Sequence, residues 1–228
     1  MENLTGIGNK IIILIKVFVL LLCTAVSGYG ILNAPESEQT KLEQELRHNE
    51  QILQQTNSAF QVKASALKRK DGKTERRITV IGDSVFLGAA PSFAKIQKNV
   101  IVDAKVSRQV RHGLEIAKKL NKKKKLGDTV IIALGTNGVF NSATGQALID
   151  YLGTDRTIYW INAYGKNLGC QRDVNKTIQK LAKKNDNVSV ISWAKEGKKH
   201  PDWFYQDGIH LNPTGQIGYA RFIKKKIS

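Results

Sequence analysis

A chain of 228 residues with 41% hydrophobic side chains has room for one ordinary domain plus an appendage, and enough apolar material for a core. Cys23 and Cys170 stand too far apart to form a disulfide framework, and His48, His112 and His200 lack metal-ligand spacing, so no metal or other cofactor is expected. The net charge of +17 falls mostly after residue 77 and suits either a polyanionic partner or simple solubility.

In chain order, residues 1–32 come first. Ile11 to Leu32 is apolar except for Lys16, Thr24, Ser27 and glycines, and as a helix it would reach about 33 Å, enough to cross a bilayer. Lys16 can snorkel toward the interface. A cleaved signal peptide is the competing reading, but Ala25-Val26-Ser27 is a poor cleavage site and Leu22 is a poor residue before a lipidated Cys23. The expectation is therefore a single-pass membrane anchor with the rest of the chain outside the cell. A basic domain in that position meets anionic wall polymer or a lipid surface rather than nucleic acid.

Residues 33–77 read as a stalk. Pro35 followed by Glu36, Ser37 and Glu38 is a helix-start signal. Leu42, Leu46, Ile52 and Leu53 form a thin apolar stripe, and a partly disordered tether is the alternative. Lys68 to Arg77 is a charged junction, after which residues 78–228 are expected to form the catalytic domain.

From Ile78 the pattern alternates. Short β-branched runs at Ile78–Ile81, Val100–Val102, Val130–Leu134, Thr157–Ile161 and Val188–Ile191 predict five strands. Helical stretches follow them at Phe86–Gln97, Val110–Leu120, Thr144–Leu152, Asp173–Lys184 and Thr214–Lys226. Continuous apolar strands fit a parallel sheet covered on both faces, hence a three-layer α/β/α fold. In such sheets ligands bind beyond the C-terminal strand ends.

Three chemistry-bearing blocks fall at those ends. Ile81-Gly82-Asp83-Ser84 puts Ser84 where the next helix begins, with its hydroxyl in the cleft and its N–H toward a developing oxyanion; the bland alternative is a helix cap. Gly135-Thr136-Asn137-Gly138 offers the Asn137 amide as a second donor, or merely an Asn suited to a turn. Asp207-Gly208-Ile209-His210 lets Asp207 hold one nitrogen of His210 while the other faces a serine. Asp202 is a second candidate acid, with a less natural spacing, and Trp203-Phe204-Tyr205 should pack under this loop.

Together the blocks resemble the SGNH, or GDSL-like, hydrolase superfamily over residues 78–226. The resemblance implies a flavodoxin-like strand order 2-1-3-4-5, a catalytic set of Ser84, His210 and Asp207, and oxyanion donors from the Ser84 N–H and Asn137. The superfamily's second block normally has a glycine whose N–H also serves. Here the region reads Ala104-Lys105-Val106-Ser107-Arg108-Gln109, and the N–H of Val106 or of a neighbour is the substitute expected.

That departure, with Ile132-Ala-Leu-Gly-Thr-Asn-Gly138 and Asp207-Gly-Ile-His-Leu-Asn212, resembles the extracytoplasmic domain of Gram-positive peptidoglycan O-acetyltransferases. The implied activity is acetyl transfer to a cell-wall glycan through an acetyl-serine. A separate integral membrane acyltransferase is expected as the supplier. A surface acetyl esterase or lysophospholipase is the rival, and an idle wall-binding module is less favoured because the reacting set is intact.

Overall fold

A computed structural model describes residues 37–66, as backbone only over 58–66, and residues 77–228. The expected anchor over 1–32, the start of the stalk and nearly all of the charged junction lie outside the described residues. Among the described residues no helix is long and apolar enough to cross a membrane.

Five strands, β1 (Ile78–Gly82), β2 (Val100–Ala104), β3 (Thr129–Ala133), β4 (Thr157–Ile161) and β5 (Val188–Ile191), form one sheet in the order β2-β1-β3-β4-β5. Every pairing is parallel, with Gly82 in register with Ala104 on one side and Ala133 on the other. The period of two along each strand divides the apolar residues between two cores. Val80, Ile131, Ala133 and Ile161 face one, and Ile81, Ile132, Ile158 and Trp160 face the other. Burial on both faces is why these runs are continuously apolar rather than alternating.

The first core is closed by α1 (Glu38–Ala66), α2 (Ser84–Ile96), the single-turn α6 (Trp193–Gly197) and α7 (Pro213–Ile227). The second is closed by α3 (Gly113–Lys122), α4 (Ser142–Leu152) and α5 (Gln171–Lys184). Layering and strand order agree with expectation. The short α6 was not foreseen, since one turn is too brief to show a helical period.

Helix α1 occupies part of the segment read as a stalk, and from Leu42 onward it belongs to the first core. Leu42, Leu46, Asn49 and Leu53, spaced four, three and four apart, are buried along one stripe. The buried Asn49 has a physical reason. Pro91 inside α2 has no N–H to give to the carbonyl of Leu87, one turn earlier. The Asn49 side-chain amide donates there at 3.4 Å, and to the carbonyl of Gly88 at 3.0 Å. Farther along, Asn57 bonds both main-chain groups of Val102, donating to its carbonyl at 2.8 Å and accepting from its N–H at 3.3 Å. That contact covers the outward edge of β2, which has no strand beside it among the described residues.

Candidate active site

The strand ends carry the site. β1 runs into a turn at Asp83, whose carboxylate accepts from the Val85 N–H at 3.1 Å and caps α2. Ser84 is thus the first helical residue, not the cap, and is 5% exposed. The first N–H groups of a helix have no intrahelical acceptor, so those of α2 are aligned beside Ser84 Oγ.

The last loop before α7 brings Asp207 and His210 to Ser84. Asp207 Oδ1 accepts from the N–H of Ile209 at 2.8 Å and of His210 at 2.9 Å, forming a tight turn in which Gly208 takes φ 67°. Its Oδ2 lies 2.5 Å from His210 Nδ1, and His210 Nε2 lies 2.9 Å from Ser84 Oγ. An ionised carboxylate can only accept, so Nδ1 carries the proton and Nε2 is left as the acceptor facing the serine. Burial is the largest single effect on Asp207 and disfavours its charge. The bonds from His210 and the two N–H groups together outweigh it and hold the carboxyl below its ordinary value. The expected set of Ser84, His210 and Asp207 is therefore assembled; Asp202 instead uses its carbonyl to accept from the Asn212 side chain at 2.7 Å.

Asn137 is linked to the turn that carries Ser84 through its neighbour Thr136. Thr136 donates from Oγ1 to Asp83 Oδ2 at 2.7 Å, which ties the turn after β3 to the turn after β1. The Asn137 side-chain amide donates to the Arg108 carbonyl at 3.2 Å and to Thr136 Oγ1 at 3.2 Å. Asp83 itself is buried, and burial raises its carboxyl above the ordinary value despite the bonds from Thr136 and Val85.

Val106 is 44% exposed on the loop after β2. The next residue, Ser107, takes φ 58°, a left-handed conformation that favours glycine, so the turn is made without one. Arg108 holds that loop. Its guanidinium donates to the carbonyl of Gly82 at 3.1 Å, to the carbonyl of Asp103, and to Asp103 Oδ1 at 2.6 Å. Sequence reasoning missed Arg108, Thr136 and Asp83 as supports. An arginine in a loop that lacks the usual glycine was the signal available for the first.

The aromatics before the Asp207–His210 loop, Trp203, Phe204 and Tyr205, lie against the first core. His200 stacks on Trp203 with centroids 3.7 Å apart and lies 3.5 Å from Glu196. A basic groove of about 470 Å3, lined by Lys199, Arg221, Lys225 and Lys226 among others, contains none of Ser84, Asp207 and His210.

No family model matches the chain. It is 32% identical over 181 residues to the putative peptidoglycan O-acetyltransferase YrhL of Bacillus subtilis, covering 79% of this chain and 28% of that protein. It is 32% identical over 160 residues to the peptidoglycan O-acetyltransferase OatA of Listeria monocytogenes, covering 68% and 25%. The match to O-acetyltransferase OatA of Staphylococcus aureus is 34% over 151 residues, covering 64% and 24%. The chain thus spans about a quarter of the length of these curated relatives. Its share in the first match exceeds what residues 78–228 amount to, so that likeness reaches back into α1.

Among solved structures, the C-terminal catalytic domain of Streptococcus pneumoniae OatA, bearing a methylsulfonyl adduct, superposes with a TM-score of 0.59 at 23% identity, covering 67% of this chain and 93% of that one. TesA superposes at 0.56 and 15% identity, covering 67% and 98%. At these identities the structures attest the fold.

Proposed function

From a chain homologous to the peptidoglycan O-acetyltransferases and built on the SGNH fold, we propose a serine acyl-ester enzyme that transfers acetyl to cell-wall glycan hydroxyls. The observation that carries the reading is the unbroken relay from Asp207 Oδ2 through His210 to Ser84 Oγ, at 2.5 and 2.9 Å.

In the first half-reaction His210 Nε2 takes the Ser84 proton as Oγ bonds to the acetyl carbonyl carbon. The resulting oxyanion is met by the N–H groups of Ser84 and Val106 and by the Asn137 amide. Asn137 must then exchange one of its present acceptors for the substrate oxygen. The tetrahedral species collapses as Nε2–H protonates the departing group, leaving acetyl-Ser84. In the second half, Nε2 deprotonates a sugar hydroxyl, which attacks the acetyl carbonyl; collapse returns the proton to Oγ and releases the glycan ester. Asp207 stays ionised throughout, stabilising the imidazolium and fixing its tautomer.

The same proposal extends to context. Residues 1–32 serve as a single-pass anchor that leaves the catalytic part outside the cell, and an integral membrane acyltransferase supplies the acetyl group. Anionic wall polymer meets the basic groove beside α7, an attraction that salt would screen.

The test gives full-length protein an activated acetate and a chito-oligosaccharide. Acetylated sugar is expected from the wild type and none from Ser84→Ala, which should also fail to take a serine-directed fluorophosphonate. Acetate delivered only to water would make the protein an esterase. Equal labelling of Ser84→Ala would remove Ser84 from the mechanism.

A further inference from the structure

The loop that carries Asp207 and His210 is irregular backbone between Phe204 and the start of α7 at Pro213. Within it, the Tyr205 N–H donates to the His210 carbonyl at 2.9 Å and the Gly208 N–H to the Tyr205 carbonyl at 2.9 Å. These bonds close the loop on itself, and the Lys166 N–H, in the segment after β4, donates to the Gly208 carbonyl at 2.8 Å and ties the tip of the turn to that segment. A displacement of about 1 Å in such a group can cost about 100-fold in rate, so something outside the loop must hold it.

The tip has Lys166; the hold on the two flanks is Glu45, on α1. Its Oε2 accepts from the Tyr205 hydroxyl at 2.8 Å, and its Oε1 accepts from the Gln216 side-chain amide. The same Gln216 amide donates to the Leu211 carbonyl at 3.0 Å. One carboxylate thereby grips both flanks of the segment, at Tyr205 before Asp207 and at Leu211 and Gln216 after His210. Glu45 is itself fixed, since Leu42 and Leu46 on the same helix are buried and Asn49 is bonded to α2, the helix that begins with Ser84. Helix α1 therefore spans from the nucleophile's helix to the base's loop.

We propose that Glu45 is a positioning residue that sets His210 against Ser84, and that α1 is a working part of the active site. The inference takes Ser84, His210 and Asp207 as the reacting set. The bridge needs two polar atoms on one side chain, an acceptor for the Gln216 amide and a partner of either kind for the Tyr205 hydroxyl, which can donate or accept. A glutamine at position 45 can still accept from Gln216 through its oxygen and donate to the Tyr205 oxygen through its amide, whereas alanine loses both contacts.

The experiment uses full-length protein with Glu45→Ala, Glu45→Gln and, as a control on the same helix, Leu53→Ala. Leu53 is buried but belongs to neither the loop nor its contacts. The first readout needs no turnover: the proton resonance of His210 Nδ1–H, shifted downfield by its short bond to Asp207. It should broaden or vanish in Glu45→Ala and persist in Glu45→Gln and Leu53→Ala. The second readout is hydrolysis of a small soluble acetyl ester well below the melting temperature. There kcat should fall about 10- to 100-fold in Glu45→Ala with KM little changed, fall no more than about threefold in Glu45→Gln, and stay unchanged in Leu53→Ala although its melting temperature drops. An unchanged resonance in Glu45→Ala overturns the inference. So does a kcat loss that merely follows the melting temperature across all three variants. A wild type with the resonance but no ester turnover would count against the proposed function alone, leaving the resonance to decide Glu45.

Discussion

Arg108→Ala probes how the loop after β2 is held where a glycine would otherwise make the turn. The Arg108 side chain is 10% exposed and joins β1 to β2 through the carbonyls of Gly82 and Asp103 and the Asp103 carboxylate. Its removal does not orphan the Gly82 carbonyl, which also accepts from the Lys105 N–H at 3.2 Å. The Asp103 side chain is 28% exposed, so water recovers part of its solvation. Breaking a fully buried pair costs about 3–5 kcal/mol and an exposed one about 0–1, which sets this one near about 2 kcal/mol. At about 2–4 °C per kcal/mol for a domain of this size, the melting temperature should fall by about 4–8 °C.

The Arg108 carbonyl accepts from Asn137, so a loosened loop should also cost about tenfold in kcat, less than the roughly 100-fold or more of losing an oxyanion donor outright. Calorimetry and ester turnover read the two effects. A double-mutant cycle with Asp103→Asn should return a coupling of about 1 kcal/mol. Arg108→Lys should recover only part of the loss, because a point charge cannot reach three acceptors as a planar fork does. An Arg108→Ala protein that melts within about 1 °C of wild type, with unaltered kcat, would refute this account of the loop.

Asp207 is held below its ordinary carboxyl value, so its stabilising contribution is complete above that value and is lost as pH falls through the lowered one. The stability gap between wild type and Asp207→Asn should therefore be present at neutral pH and close in strong acid, as read by melts across a pH series. Asn49→Ala leaves the Leu87 carbonyl, already deprived of a helical donor by Pro91, without its side-chain partner; denaturant unfolding should show a loss of about 1–3 kcal/mol. In Gly218→Ala the new methyl would meet three Trp203 ring atoms at 2.4–2.6 Å, and that ring is already stacked on His200. The helix gains about 1 kcal/mol from alanine, but overpacking costs about 1–3, so the melting temperature should drop by a few degrees rather than rise.

Short-range patterns were enough to read the architecture and to pick out the side chains that meet at the strand ends. The five runs of β-branched residues required a sheet buried on both faces, and the alternation of Val80 with Ile81, or Ile131 with Ile132, then divided them between two cores. Ser84 and the Asp207–His210 pair were legible because each lies in a local motif at the end of an element, where a few neighbouring residues determine the turn. The supports were not legible, because they join residues far apart in sequence. Asn49 answers a proline in another helix, Thr136 bonds the buried Asp83, Arg108 clamps two strand ends, and Glu45 reaches Tyr205 and Gln216 across most of the chain. A thin stripe such as that of α1 suits a free stalk as well as a docked helix. Only the tertiary structure decided between them, since what buries Leu42, Leu46 and Leu53 is a surface assembled from other parts of the chain.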